Sequence, residues 1–258
     1  MHLNVNTLLL RALSLGYGVT ILSYAKEIKH ELKKYINHEK AAFFPRFFQA
    51  FEGGYGEGDL FLGVVVPDQR KVAKKYYKLV SMKEIEELLN EPYHECRLTA
   101  LFMMVYKFEK AKDESEREEI VSTYLKNIDA VNNWDLVDAS APQILGAYLW
   151  DKDKSLLYEM ARTPDLWKQR IAIMSTFYFI KQDKFDDTLR IAEILLNHEH
   201  DLIHKAVGWM LREIGKRNFD VEYNFLKENY KVMPRTMLRY AIEKFEPELR
   251  EKFLKGLI

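Results

Sequence analysis

The chain of 258 residues carries 39 Lys plus Arg against 39 Asp plus Glu, a formal net charge of zero and a pI of about 7.1. It is long enough to bury a substantial core as one large domain or two small ones, and its charge balance excludes a generally basic nucleic-acid coat while allowing a basic face backed by an acidic one. Its single cysteine, Cys96, excludes an internal disulfide and a cysteine-cluster metal site and fits a reducing compartment.

In chain order, Thr7 to Leu22 is apolar, but Arg11 interrupts it, no basic segment precedes it and Gly16 and Gly18 weaken a helix. No membrane span is expected there. Residues 1–23 are expected to form a loosely ordered extension, and residues 24–258 a single repeat domain. Helical periodicity starts near Ser23, where Ile28, Leu32 and Tyr35 form a stripe among lysines. Phe43, Phe44, Phe47, Phe48 and Phe51 mark a second, aromatic-rich helix. The loop Gly53 to Asp59 lacks the Gly-Lys-Ser/Thr ending and the preceding strand of a nucleotide cradle, so its glycines serve a turn. The apolar run Phe61 to Val64 then docks as a plug, and Pro67 opens the next helix. The stretch FLGVVVP resembles a strand but is too isolated to make a sheet.

From there helix follows helix, with breaks at Asn90 to Pro92, Lys112 to Glu114, Lys152 to Lys154, Arg162 to Pro164 and Arg217 to Asp220. Aligning Arg97, Trp134, Arg170, Lys205 and Arg239 gives offsets of 37, 36, 35 and 34 residues. A period near 35 indicates helix pairs stacked as a solenoid, the aligned set forming an inner, concave layer and the more acidic helices between them an outer one. The fold class is therefore all-α, a superhelical solenoid. Four of the five aligned positions are basic, which predicts a cationic lining, extended by Arg212. Four residues further on stand Leu101, Asp138, Met174, Trp209 and Glu243. Local salt bridges are the competing use of those cations.

The stretch NNWDLVD, Asn132 to Asp138, stands out within this repeat. Asn132 or Asn133 can cap a helix on which Trp134 and Asp138 lie four residues apart, on one face. Cys96 and His94, two apart on a helix, point in different directions and do not read as a thiol nucleophile. In HEHDLIH, His200 and His204 could share a face, but the His-Glu-x-x-His order is absent, and no metal or cofactor is expected.

Taken in order, FLGV followed by PDQR, then HECRLTALFMMVYKF, NNWDLVD, WKQRIAIMSTFYFI and KAVGWMLREIGK resemble the AlkD family of DNA alkylation repair glycosylases, built from HEAT-like repeats. The resemblance covers roughly Tyr24 to Lys216. It implies hydrolysis of the N-glycosidic bond of cationic alkylated purines such as 3-methyladenine and 7-methylguanine, in double-stranded DNA held in a concave groove. It further implies that Trp134, Asp138 and Trp209 form the catalytic cleft and that Arg170 and Arg212 grip the DNA backbone. Lys205 joins them from the repeat alignment alone. The Gly-rich loop is longer than in compact members of the family, so no DNA contact is carried onto Tyr55. A cytoplasmic monomer, nucleoid-associated when on DNA and without membrane contact, is the corresponding expectation. The alternative is a non-catalytic helical-repeat protein binding DNA or a protein partner in the same groove.

Overall fold

The computed structural model describes residues 23–258. The apolar stretch at Thr7 to Leu22 lies outside the described residues. The first helices are α1 (Tyr24–Lys33) and α2 (His38–Phe47). Ser23 caps α1, and Ile28 and Leu32 are fully buried, as their spacing predicts. Helix α2 buries none of its own residues; only Phe48, just past its end, is sunk into the protein.

The run after the Gly-rich loop is not a strand. Its backbone instead wraps a carboxylate: the N–H groups of Leu62, Gly63 and Val64 all donate to Glu95, itself 1% exposed. A buried carboxylate needs such donors, and a buried extended segment without a neighbouring strand needs an acceptor, so each satisfies the other. Gly63 has φ of 79°, and a Cβ there would lie 2.1 Å from the Asn37 carbonyl oxygen, so α2 can approach only because a glycine stands at that position.

Helix pairs follow: α3 (Val66–Tyr76), α4 (Met82–Leu89), α5 (His94–Lys110), α6 (Glu114–Lys126), α7 (Trp134–Asp138), α8 (Ser155–Arg162), α9 (Leu166–Lys181), α10 (Asp186–Ile194), α11 (Asp201–Gly215), α12 (Phe219–Asn229), α13 (Arg235–Ala241) and α14 (Pro247–Lys255). Polar caps close the starts of several of them, with Ser81 and Glu84 forming a reciprocal capping box on α4 and Asp113, Asp165 and Asn218 capping α6, α9 and α12. Helix α7 is short and runs through Ala139–Ala141 into a π-helical turn, Pro142–Gly146, against which α9 packs.

Helices α5, α7 with its π turn, α9, α11 and α13 pack in succession as one layer, and α4, α6, α8, α10 and α12 back them. This is the all-α solenoid expected from the 35-residue period, with the HEAT-like repeats that the resemblance implies. The aligned positions do not all face the groove, however. Leu101 and Met174 are wholly buried, and Arg97 is 6% exposed and turned into the protein. Positions equal in sequence register therefore sit at different depths. Among the described residues no helix is long and apolar enough to cross a membrane.

Candidate active-site cleft

Helix α7 owes its position to the two asparagines in front of it. Asn133 caps it, accepting from the Trp134 N–H at 2.9 Å, while its amide donates to the Phe48 carbonyl at 3.3 Å. Asn132 accepts from Arg97 Nη2 at 3.1 Å, while its amide donates to Asp59 Oδ1, at the end of the Gly-rich loop, at 3.4 Å. Both bind segments far away in the chain, so α7 is latched to the end of α2 and to the Gly-rich loop. Gly56 makes the latch possible: a Cβ there would meet the Phe48 carbonyl oxygen at 2.5 Å and Asn133 Nδ2 at 2.9 Å.

Beneath the latch lies a buried ion cluster that the sequence does not announce. His94, 2% exposed, faces Asp59 through Nδ1 at 3.1 Å and Asp135 through Nε2 at 2.8 Å. Arg97 Nη2 meets the other side of Asp59 at 2.6 Å. Burial alone would lower the His94 pKa, but Asp135 and Asp59 outweigh it and raise it to about 9, so the ring is an imidazolium at neutral pH. Burial would likewise raise Asp59, yet His94 and Arg97 hold it below the usual carboxylate range. Phe48 stacks on the imidazolium at 4.6 Å between centroids and also on Trp134 at 5.6 Å. The cluster thus supports the back of Trp134. Cys96 beside it is buried, and burial pushes its thiol up to about 12, so it is no nucleophile.

Trp134 and Asp138 open onto a cleft of about 340 Å³, lined also by Phe47, Tyr55, Arg170, Leu202, Lys205, Trp209 and Tyr240. Five of the six candidates from the sequence therefore converge. The sixth, Arg212, lies one helical turn beyond Trp209 on α11 and is ion-paired with Glu243. Tyr55, Phe47 and Tyr240 were not anticipated; for Tyr55 the signal was its place in the Gly-rich loop, which carries it over the cleft against Trp167 and His200.

At the centre Arg170 holds Asp138. Nε donates to Oδ1 at 2.9 Å and Nη2 to Oδ2 at 2.8 Å, while Nη1 donates to the Leu202 carbonyl at 2.6 Å. Arg170 is 5% exposed, and the Asp138 side chain 18%. Burial raises the Asp138 pKa above the ordinary value; Arg170 opposes that rise and Asp135 adds to it. Of the guanidinium's five N–H groups two are unused, and each carboxylate oxygen keeps acceptor capacity.

Three of the other four expected cations are also paired: Arg97 with Asp59, Lys205 with Asp201 at 2.6 Å and Arg212 with Glu243; Arg239 is exposed and, among the described residues, has no ion-pair partner. The cationic lining predicted from the repeat is therefore largely neutralised. Trp209 donates to Glu213 Oε1 at 3.0 Å, which fixes its ring. The histidines of HEHDLIH serve local structure: His200 caps α11, and His198 accepts from the His200 N–H and pairs with Gln169.

The family model for the DNA alkylation repair enzyme matches residues 28–245. Among solved structures, the fold is similar to a protein from Enterococcus faecalis described as a predicted DNA alkylation repair enzyme, with a TM-score of 0.64 and 17% identity over 82% of this chain and 97% of that one. It is also similar to AlkD2 from Streptococcus mutans, with a TM-score of 0.53 and 19% identity over 81% of this chain and 99% of that one. A comparison with curated proteins gives no match.

Proposed function

The chain belongs to the DNA alkylation repair enzyme family, and from that premise and the geometry of the cleft we propose that it is a DNA glycosylase. It hydrolyses the N-glycosidic bond of cationic alkylated purines, 3-methyladenine and 7-methylguanine, in duplex DNA. The observation that carries this reading is Asp138: a mostly buried carboxylate, held in one orientation by Arg170, in a cleft walled by Trp134, Trp209 and Tyr55. A plain backbone binder has no use for a carboxylate facing phosphates.

An alkylpurine with a formal positive charge is already a good leaving group, so no general acid is needed. Positive charge develops on the deoxyribose as the bond breaks, as in glycoside hydrolysis. Asp138 stabilises that charge and accepts a hydrogen bond from the attacking water through a lone pair that Arg170 leaves open. Arg170 has a second effect. Burial favours the neutral acid, and the guanidinium counteracts it, keeping the carboxylate ionised where it must act. Trp134 and Trp209 pack against the sugar, exclude bulk water and present ring faces that favour a cation. The two spare N–H groups of Arg170, together with Lys205 and Arg212, hold phosphates without reading base sequence.

The test is release of free 7-methylguanine and 3-methyladenine from methylated duplex DNA by the purified chain in the presence of a chelator. Release supports the glycosylase; its absence in folded protein overturns it. A second reading, a groove that binds DNA or a protein without turnover, draws on the pairing of Arg97, Lys205 and Arg212 with carboxylates, which weakens an electrostatic grip. Salt-dependent duplex binding without base release would establish its DNA-binding form.

A further inference from the structure

Helix α2 carries an aromatic surface that the cleft chemistry does not use. The helix buries none of its residues, and Phe43 and Phe47, four apart on one face, are 54% and 48% exposed. Their rings lie 5.7 Å apart at an interplanar angle of 32°. Phe47 in turn meets Trp134 edge-on at 5.8 Å. A continuous row of neighbouring rings therefore runs from the wall of the cleft out along α2. Phe44 and Phe48, on the other side of the helix, pack on Phe61 and anchor it, so the row sits on a fixed support.

Cations accompany the row. Lys40 and Arg46 are exposed, and among the described residues neither has an ion-pair partner, in contrast to the paired Lys205, Arg170 and Arg212 deeper in the groove. Glu39, beside Lys40 in the first turn of α2, is the acidic residue of the helix, and Arg46 lies at the end nearer Trp134. Exposed rings spaced along one face with free lysine and arginine beside them have the chemistry of a surface that takes single-stranded nucleic acid: bases stack on the rings and cations follow the phosphates. An apolar protein partner would have no need of the two cations.

We propose that Phe43 and Phe47, with Lys40 and Arg46, form a stacking platform for unpaired bases of a DNA strand that leaves the cleft. The inference rests on the reading that DNA occupies the cleft, and deepens it: the protein engages alkylated nucleotides preferentially where the duplex is frayed or adjoins a single strand.

The experiment measures binding of the full chain, by fluorescence anisotropy, to three DNAs: a blunt duplex, the same duplex with a short dT overhang, and the same duplex with an overhang of abasic residues. The platform predicts that the dT overhang tightens binding about tenfold and that the abasic overhang, with phosphates but no bases, does not. Phe43→Ser removes most of that gain and Phe43→Trp restores it, while the thermal unfolding midpoint of both variants stays at the wild-type value because Phe43 is exposed. Equal binding of the dT and abasic overhangs, or a gain that survives Phe43→Ser, overturns the platform. Base release from the blunt methylated duplex is read in parallel. Release without an overhang gain leaves the glycosylase standing and removes the platform. An overhang gain without release does the reverse. Absence of binding to all three DNAs overturns both.

Discussion

Arg170 grips Asp138 through two parallel hydrogen bonds of 2.9 and 2.8 Å, from neighbouring helices of one layer. The pair fixes both the direction and the charge of the carboxylate. Removing the carboxylate's charge while keeping its shape is the direct test: Asp138→Asn should lower the rate of 7-methylguanine release by about 10²- to 10³-fold, as for loss of one preorganised electrostatic group. Folding, checked by circular dichroism, and duplex affinity should change little. A rate within twofold of wild type would remove Asp138 from the proposed mechanism.

The same pair predicts the pH profile. Because burial raises the Asp138 pKa, the acid limb of the rate profile should lie above the ordinary aspartate value of 3.8, the rate falling as pH falls through the raised value. Arg170→Lys should move this limb further up in pH, because a lysine cannot reproduce the two-pronged contact and opposes burial less well. It should also weaken binding to damaged and undamaged duplex alike if the spare N–H groups hold a phosphate. Rate profiles of the two proteins, with affinities for both DNAs, decide both points.

His94 predicts stability. Its folded pKa of about 9 exceeds the ordinary 6.5, so the folded state holds the extra proton between those values. The stabilisation is fully present below pH 6.5 and is lost as pH rises through about 9, at up to about 1.4 kcal/mol per pH unit. His94→Gln should therefore cost about 3 kcal/mol at pH 6, having stripped Asp59 and Asp135 of a buried cation, and progressively less towards pH 9 and above. Urea unfolding at several pH values gives the curve; a penalty independent of pH would mean that the ring is neutral.

Glu222 predicts the opposite result for its own neutral replacement. It is 2% exposed with one oxygen unpartnered, and burial raises its pKa to about 8, with Arg212 opposing and Glu213 adding to the rise. Folded protein keeps this proton between pH 4.5 and about 8, so its contribution too is greatest below pH 4.5 and disappears as pH rises through about 8. Glu222→Gln should leave stability near pH 4.5 unchanged and raise the thermal midpoint at pH 8. An equal or lower midpoint at pH 8 would show that Glu222 finds a partner when ionised.

Much of the solenoid could be read from periodicity and the 35-residue offsets, because one apolar stripe per helix is a local property. So could the placement of Trp134 and Asp138, which depends only on a four-residue spacing. The depth of the aligned positions could not. Arg97 appeared equivalent to Lys205, but it meets Asp59 from a loop outside the repeat and turns inward. The ion cluster was equally hidden: His94 is 35 residues from Asp59 and 41 from Asp135, and each alone is an ordinary polar residue. FLGVVVP has strand composition, yet its donors converge on Glu95 instead of a neighbouring strand, and no local pattern encodes that choice.

A solenoid ordinarily couples each repeat only to its neighbours, so it can unravel from either end and leave the middle standing. The asparagine latch breaks that rule. Asn133 reaches 85 residues back to Phe48, and Asn132 reaches 73 back to Asp59, bypassing the intervening helix pairs. Loss of α2 and the Gly-rich loop would therefore not be a local event at one end. It would release the start of α7 in mid-chain, and with it the Trp134 wall. The latch thus ties the cleft's order to the N-terminal helices through contacts of high sequence separation, the kind whose loop closure slows folding.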